Sequence, residues 1–162
     1  MTFQQLALAA SVGFAGLWSG LLAMLTLVMH PMLAAMNAAD FERFLRSFLP
    51  VARRAWFNYV CAIGMAVAPI IALVSLRNEV SSVPFVLTTI GLVIVVVFVY
   101  VVSNVWKEPL YDVMLAWDPE AMPADWRAGR RRYFAINWIQ TGETWTVFVL
   151  FLAALMAASE PR

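Results

Sequence analysis

His30 and Glu143 are the two residues of this chain best suited to proton chemistry. His30 is the sole histidine and ends an apolar run. Its imidazole ordinarily titrates near neutral pH (about 6.5), so it suits a general acid or base. Glu143 interrupts the last apolar run, ten residues past Tyr133 and about 15 Å further along an ideal helix. A carboxylate at that depth must face other helices, pair, or hold its proton. For both residues the alternative is a hydrogen-bonded structural role. Tyr100 and Asn104 late in the third run, and Asn137 and Gln140 early in the fourth, are candidate donors to a bound molecule. Gln140, three residues before Glu143, could bond it. Arg132, with Arg130 and Arg131, could hold an anionic substrate or, as the commoner use, anionic lipid headgroups. One histidine without an HxxxH or ExxH pair points to no metal site. The chain contains no glycine-rich phosphate loop, nucleophile elbow or zinc-helix motif, so no cofactor is expected. A haem with one protein ligand stays open.

The elements that position these residues follow from composition. Of 162 residues 63% are hydrophobic and 13% charged, with mean hydropathy +0.79. Soluble domains run at about 45–50% apolar and about 25% charged, so the excess calls for a bilayer. A net charge of +1 with no concentrated basic face argues against a nucleic-acid partner. The charges fall in blocks and leave four uncharged or nearly uncharged stretches, read as spans at about 6–29, 55–76, 83–106 and 133–158. Lipid cannot satisfy open backbone groups, so even the valine-rich 93–102 should be helical. The expected fold is all-α, a single membrane domain built as a four-transmembrane-helix bundle with short interfacial helices in loops one and three.

Nine of the eleven Lys and Arg fall in those two loops, with Arg77 and Arg162 on the other side. The positive-inside rule puts the loops in the cytoplasm and both termini outside, in a bacterial inner membrane. An uncharged N-terminal segment argues for a retained first helix rather than a cleaved signal. In loop one, Asp40 could cap an amphipathic helix with Phe41, Phe44, Leu45, Phe48 and Leu49 on one face, ending at Pro50. It should lie on anionic lipid or, alternatively, beneath the bundle. In loop three Pro109 could open a second short helix, and Asp125 could cap the last span. Ala9, Gly13, Gly16 and Gly20, and Cys61, Gly64, Ala68 and Ala72, form two small-residue seams suited to close packing, or to a homo-oligomer. All the candidate polar residues lie toward the cytoplasmic end, which suggests a polar pocket opening there.

Pro109-Leu110, the following Tyr111 and Asp112, then Trp117, Arg132-Tyr133 and Asn137 resemble a pattern of the anthrone-oxygenase-like family of four-helix membrane proteins. Tyr111 and Asp112 stand where the family commonly has asparagines, and Gln140 where it has arginine. The resemblance implies cofactor-independent oxygenation of an electron-rich, hydrophobic aromatic. That chemistry needs a base, for which His30 or Glu143 would serve. It also needs oxyanion donors among Tyr100, Asn104, Asn137 and Gln140. The competing expectation is a non-enzymatic accessory or small-molecule or lipid-binding subunit of a larger membrane complex, with a small carrier third.

Overall fold

A computed structural model describes residues 1–160; Arg162, one of the two basic residues assigned to the outer side, lies outside them. Every regular element among the described residues is helical. In chain order they are α1 (Phe3–Ala35), the shorter α2 (Ala38–Arg54), α3 (Trp56–Ser75), α4 (Val83–Leu115) and α5 (Trp126–Ser159). All but α2 are long and apolar enough to cross a membrane. In the most apolar stretch of each, only 22–33% of residues are buried. The rest, Leu17, Ile63, Val67, Val97 and Val149 among them, turn outward. That is a surface for acyl chains, since in water it would carry the full hydration penalty of exposed hydrocarbon.

The long helices form a ring in which α1 packs along α3 and α5, and α4 closes the ring against both. Gln4 donates to the Ser75 carbonyl (3.0 Å) and Gln5 to that of Ala158 (3.2 Å), so α1 begins where α3 and α5 end. Three apolar layers fill the ring. Leu8, Ala72 and Ala154 occupy one end; Ala15, Met65, Val95, Val147 and Phe151 the middle; Leu33, Met114, Tyr133 and Ile136 the other.

The helices outrun the spans read from hydropathy. α1 continues past 29 to Ala35, and α5 starts seven residues before Tyr133, at Trp126. The segment after Pro109 is the last two turns of α4 rather than a separate helix. Asp125 precedes α5 but its side chain makes no capping bond. In loop one the cap is Asn37, whose side-chain oxygen accepts from the Asp40 N–H at 2.9 Å. α2 also runs through Pro50 to Arg54. Pro50 lies on the exposed side together with Arg46, so the carbonyl that Pro50 leaves without a donor can be solvated. The apolar face of α2 meets protein, not lipid: Phe41, Leu45 and Leu49 are buried against Leu33, Tyr111, Met114 and Tyr133. Arg46 (to the Trp117 carbonyl, 2.7 Å) and Arg53 (to Glu108 and Asp112, 2.5 and 2.9 Å) strap α2 to the end of α4 and the loop after it.

The two small-residue seams part company. Cys61, Gly64, Ala68 and Ala72 are buried, with the Phe14 ring lying over Gly64. On α1 the buried line is instead Leu8, Ser11, Ala15, Ser19, Leu22 and Thr26. Gly16 meets Phe148, whereas Gly13 and Gly20 face open space. A Cβ at position 64 would overlap the Phe14 ring, and overpacking of this kind costs about 1–3 kcal/mol. Gly64→Ala should therefore lower the thermal midpoint by several degrees in detergent, while Gly13→Ala leaves it unchanged or raises it.

Candidate functional site

Two prolines inside long helices set the geometry of the site. Pro31 in α1 and Pro109 in α4 each follow a stretch of π-helix, Met24–Met29 and Ser103–Lys107. The His30 N–H bonds to the Leu25 carbonyl and the Glu108 N–H to that of Ser103, both five residues back. A proline ring clashes with the carbonyl four residues before it and donates no hydrogen bond. Widening the preceding turn relieves that clash while the helix continues. His30 and Lys107, just before the two prolines, are carried on these widened turns.

His30 points into the bundle and is 4% exposed. Its ring stacks on Phe134 (centroids 4.1 Å apart) and leans on Tyr133 at 5.8 Å. Asn137 Nδ2 lies 3.4 Å from His30 Nε2. With the amide so oriented, Nδ1 carries the imidazole proton; turned over, the amide would accept from Nε2–H and leave Nδ1 as a free base. In either orientation Nδ1 has no partner among the described residues, and in the first Asn137 Oδ1 is buried beside the Tyr133 hydroxyl without a well-formed hydrogen bond. A buried polar group left unpaired costs about 1–3 kcal/mol. Poorly paired groups gathered around one imidazole are a costly concentration. The neighbouring hydroxyls do not relieve it, since Thr26 donates to Leu22 and Thr141 to Asn137 on their own helices.

A second polar group adjoins the first. Lys107, which hydropathy assigns to loop three, donates to Gln140 Oε1 at 2.9 Å, and Gln140 Nε2 donates to Ser103 Oγ at 2.6 Å. The ammonium is 5.7 Å from the centroid of the Tyr111 ring, which in turn leans on Tyr133 at 5.8 Å. Tyr111 and Tyr133 thus connect the Lys107 group to His30.

Of the residues singled out in the sequence, His30, Asn137 and Gln140 come together here. The others do not. The Tyr100 hydroxyl donates to the Ala62 carbonyl and staples α4 to α3. Asn104 is exposed and donates to the Tyr100 carbonyl of its own helix. Gln140 is turned to Lys107 and Ser103, so it does not bond Glu143, which is half-buried with one oxygen enclosed and unpaired. Arg132 is exposed on the rim of a surface groove of about 530 Å³, lined also by Trp117, Asp118 and Asp125. The expected opening of the polar cluster toward this end is covered, because α2 packs over Tyr133 and its neighbours. Lys107 and Tyr133 are the residues missed as site candidates. The signal for Lys107 was the apolar run resuming after it, at Leu110, Val113 and Met114. Among the described residues no three His, Cys, Asp or Glu side chains are grouped to hold a metal ion.

Arg130 is committed to structure rather than to lipid. Its guanidinium donates to the Leu33 and Met36 carbonyls (3.1 and 3.0 Å) at the end of α1 and lies over the rings of Trp126 and Phe41. A cation there satisfies carbonyls that the helix terminus leaves without donors. Comparison with protein-family models, curated proteins and solved structures finds no match to this chain. Hydrogen bonds to a charged group are worth about 1.5–3 kcal/mol, so Arg130→Gln should lower the melting midpoint clearly. The same change at exposed Arg132 should stay within about 0.5 kcal/mol of wild type in the same melts.

Proposed function

We propose that this chain is a multi-pass protein of a bacterial inner membrane that binds a hydrophobic aromatic molecule beside His30 and removes a proton from it, as a cofactor-independent oxygenase does. The observation that carries this reading is a buried imidazole whose Nδ1 has no partner among the described residues, beside the Asn137 amide and Tyr133. A molecule with an activated methylene next to a carbonyl would use them together. With the Asn137 amide turned so that Oδ1 accepts from Nε2–H, His30 Nδ1 takes the methylene proton. The Tyr133 hydroxyl or the amide N–H so released stabilises the oxygen on which negative charge grows. Reaction of that carbanion with O₂ converts the methylene to a carbonyl and releases water. Phe134 and Ile136 supply the apolar surroundings that such a substrate and O₂ favour. The base is His30 rather than Glu143, which stands apart from this cluster.

The end of the bundle that carries α2 and the α4–α5 connection holds nine of the eleven basic residues, which supports a cytoplasmic location for it and outward-facing termini. Arg54, Arg127, Arg131 and Arg132, all exposed, are side chains there suited to anionic headgroups. The second reading, a non-enzymatic subunit of a larger complex, draws on Gly13 and Gly20, which offer a smooth outward strip to another helix.

Loss of a general base costs about 10²–10⁴-fold, so a folded His30→Ala variant should lose oxygen-dependent turnover of an anthrone by that factor. Full turnover by this variant would end the assignment. For the topology, a cysteine placed at Ser159 should react with an impermeant maleimide added outside intact cells; labelling only after the cytoplasmic face is opened would reverse it.

A further inference from the structure

We infer that Lys107, held by Gln140 and flanked by Ser103 and Tyr111, is a binding site for the oxyanion head, a carboxylate or an ionised phenol or enol, of a hydrophobic small molecule. The inference rests on the proposed function only in taking that molecule to be the substrate handled at His30.

Lys107 sits in a helix long and apolar enough to cross a membrane, where a cation needs a counter-charge or access to water. Lysines near the ends of such helices ordinarily extend toward the interface. Lys107 turns inward instead and reaches Gln140 on another helix. Its ammonium has three N–H donors, and among the described residues it bonds one acceptor, the neutral Gln140 Oε1. The Tyr111 ring face adds a weak second contact. The nearest carboxylates in sequence are already engaged: Glu108 and Asp112 both pair with Arg53, at 2.5 and 2.9 Å. No ion pair forms at Lys107 among the described residues. Gln140 is anchored at both ends of its amide, so the cation is presented in a fixed place. Glu108 acts on the ammonium through its charge but stays paired with Arg53, so the site keeps one cation with no carboxylate bonded to it, which fits a monoanion. The Tyr133 ring, which leans on both Tyr111 and His30, joins this group to the imidazole.

The test uses the full chain in a neutral detergent, without oxygen, and follows binding of 1-naphthoate and its uncharged isostere 1-naphthamide. Naphthoate should bind saturably and more tightly than naphthamide, and Lys107→Gln should weaken naphthoate by about tenfold or more while leaving naphthamide unchanged. Gln140→Glu places a permanent carboxylate against the ammonium. It should abolish the preference for naphthoate and raise the thermal midpoint by a few degrees, and it decides the question even where Lys107→Gln does not fold. His30→Ala should keep the preference for naphthoate over naphthamide, so loss of turnover with that preference intact separates this site from the acid–base reading. The inference is overturned if naphthoate does not bind, if both probes bind equally, or if Gln140→Glu keeps the preference. Displacement of naphthoate by phosphatidylglycerol at a few molecules per micelle would also overturn it, by assigning the site to a lipid phosphate.

Discussion

The constraint on which this structure turns is that a helix in hydrocarbon has to keep its backbone hydrogen-bonded even where a proline makes that impossible in α geometry. Pro31 and Pro109 impose the problem near the same end of the bundle, one on α1 and one on α4. Both helices answer with a widened turn just before the ring, and both carry a chemically versatile side chain there. Each extra residue in such a turn rotates everything beyond it relative to an unbroken α-helix. His30 and Lys107 consequently meet Asn137 and Gln140, which are one turn apart on the regular helix α5. The site is thus a junction of two deformed helices with one straight one.

Charge at this end serves first to hold the chain together. Arg46, Arg53 and Arg130 each bridge elements distant in sequence, to the Trp117 carbonyl, to Glu108 and Asp112, and to the Leu33 and Met36 carbonyls. Glu42 is fully buried yet lies 2.6 Å from the Arg46 guanidinium, so its charge stays compensated by a partner that reaches solvent. A basic loop read as an electrostatic contact for lipid therefore has a second purpose. Of the arginines in the two basic loops, Arg46, Arg53 and Arg130 satisfy carbonyls and carboxylates at the mouth of the bundle, and the others, Arg43, Arg54, Arg127, Arg131 and Arg132, are exposed.

The fold was largely legible because four long apolar runs separated by charge admit few arrangements in a bilayer. His30 and Asn137 were legible too, since a polar residue in such a run has to face protein. What could not be read was tertiary. Hydropathy puts Lys107 in a loop because a cation ends an apolar window, and only its contact with Gln140 shows that the helix goes on. Tyr133 looks like an interfacial aromatic until α2 covers it. The amphipathic pattern of α2 is satisfied equally by lipid or by protein, and the choice depends on Arg46 and Arg53 finding partners about 60–70 residues away. On α1, a stripe of glycines and a stripe of Ser, Ala and Leu are both plausible seams, and the neighbouring helices take the second.

The position of α2 also determines how concentration should be counted for any ligand of the polar cluster. With its aromatic and leucine face packed over the end of the bundle, the helix obstructs the route from water there, and a second approach lies through the sides, which border acyl chains. A compound arriving that way is drawn from the bilayer, where a hydrophobic aromatic accumulates far above its aqueous level. Its apparent affinity would scale with the amount of lipid or detergent present, so occupancy is properly expressed per mole of lipid. A weak site by aqueous standards could then remain filled at traces of ligand, and a water-soluble analogue of the same shape could fail to reach it.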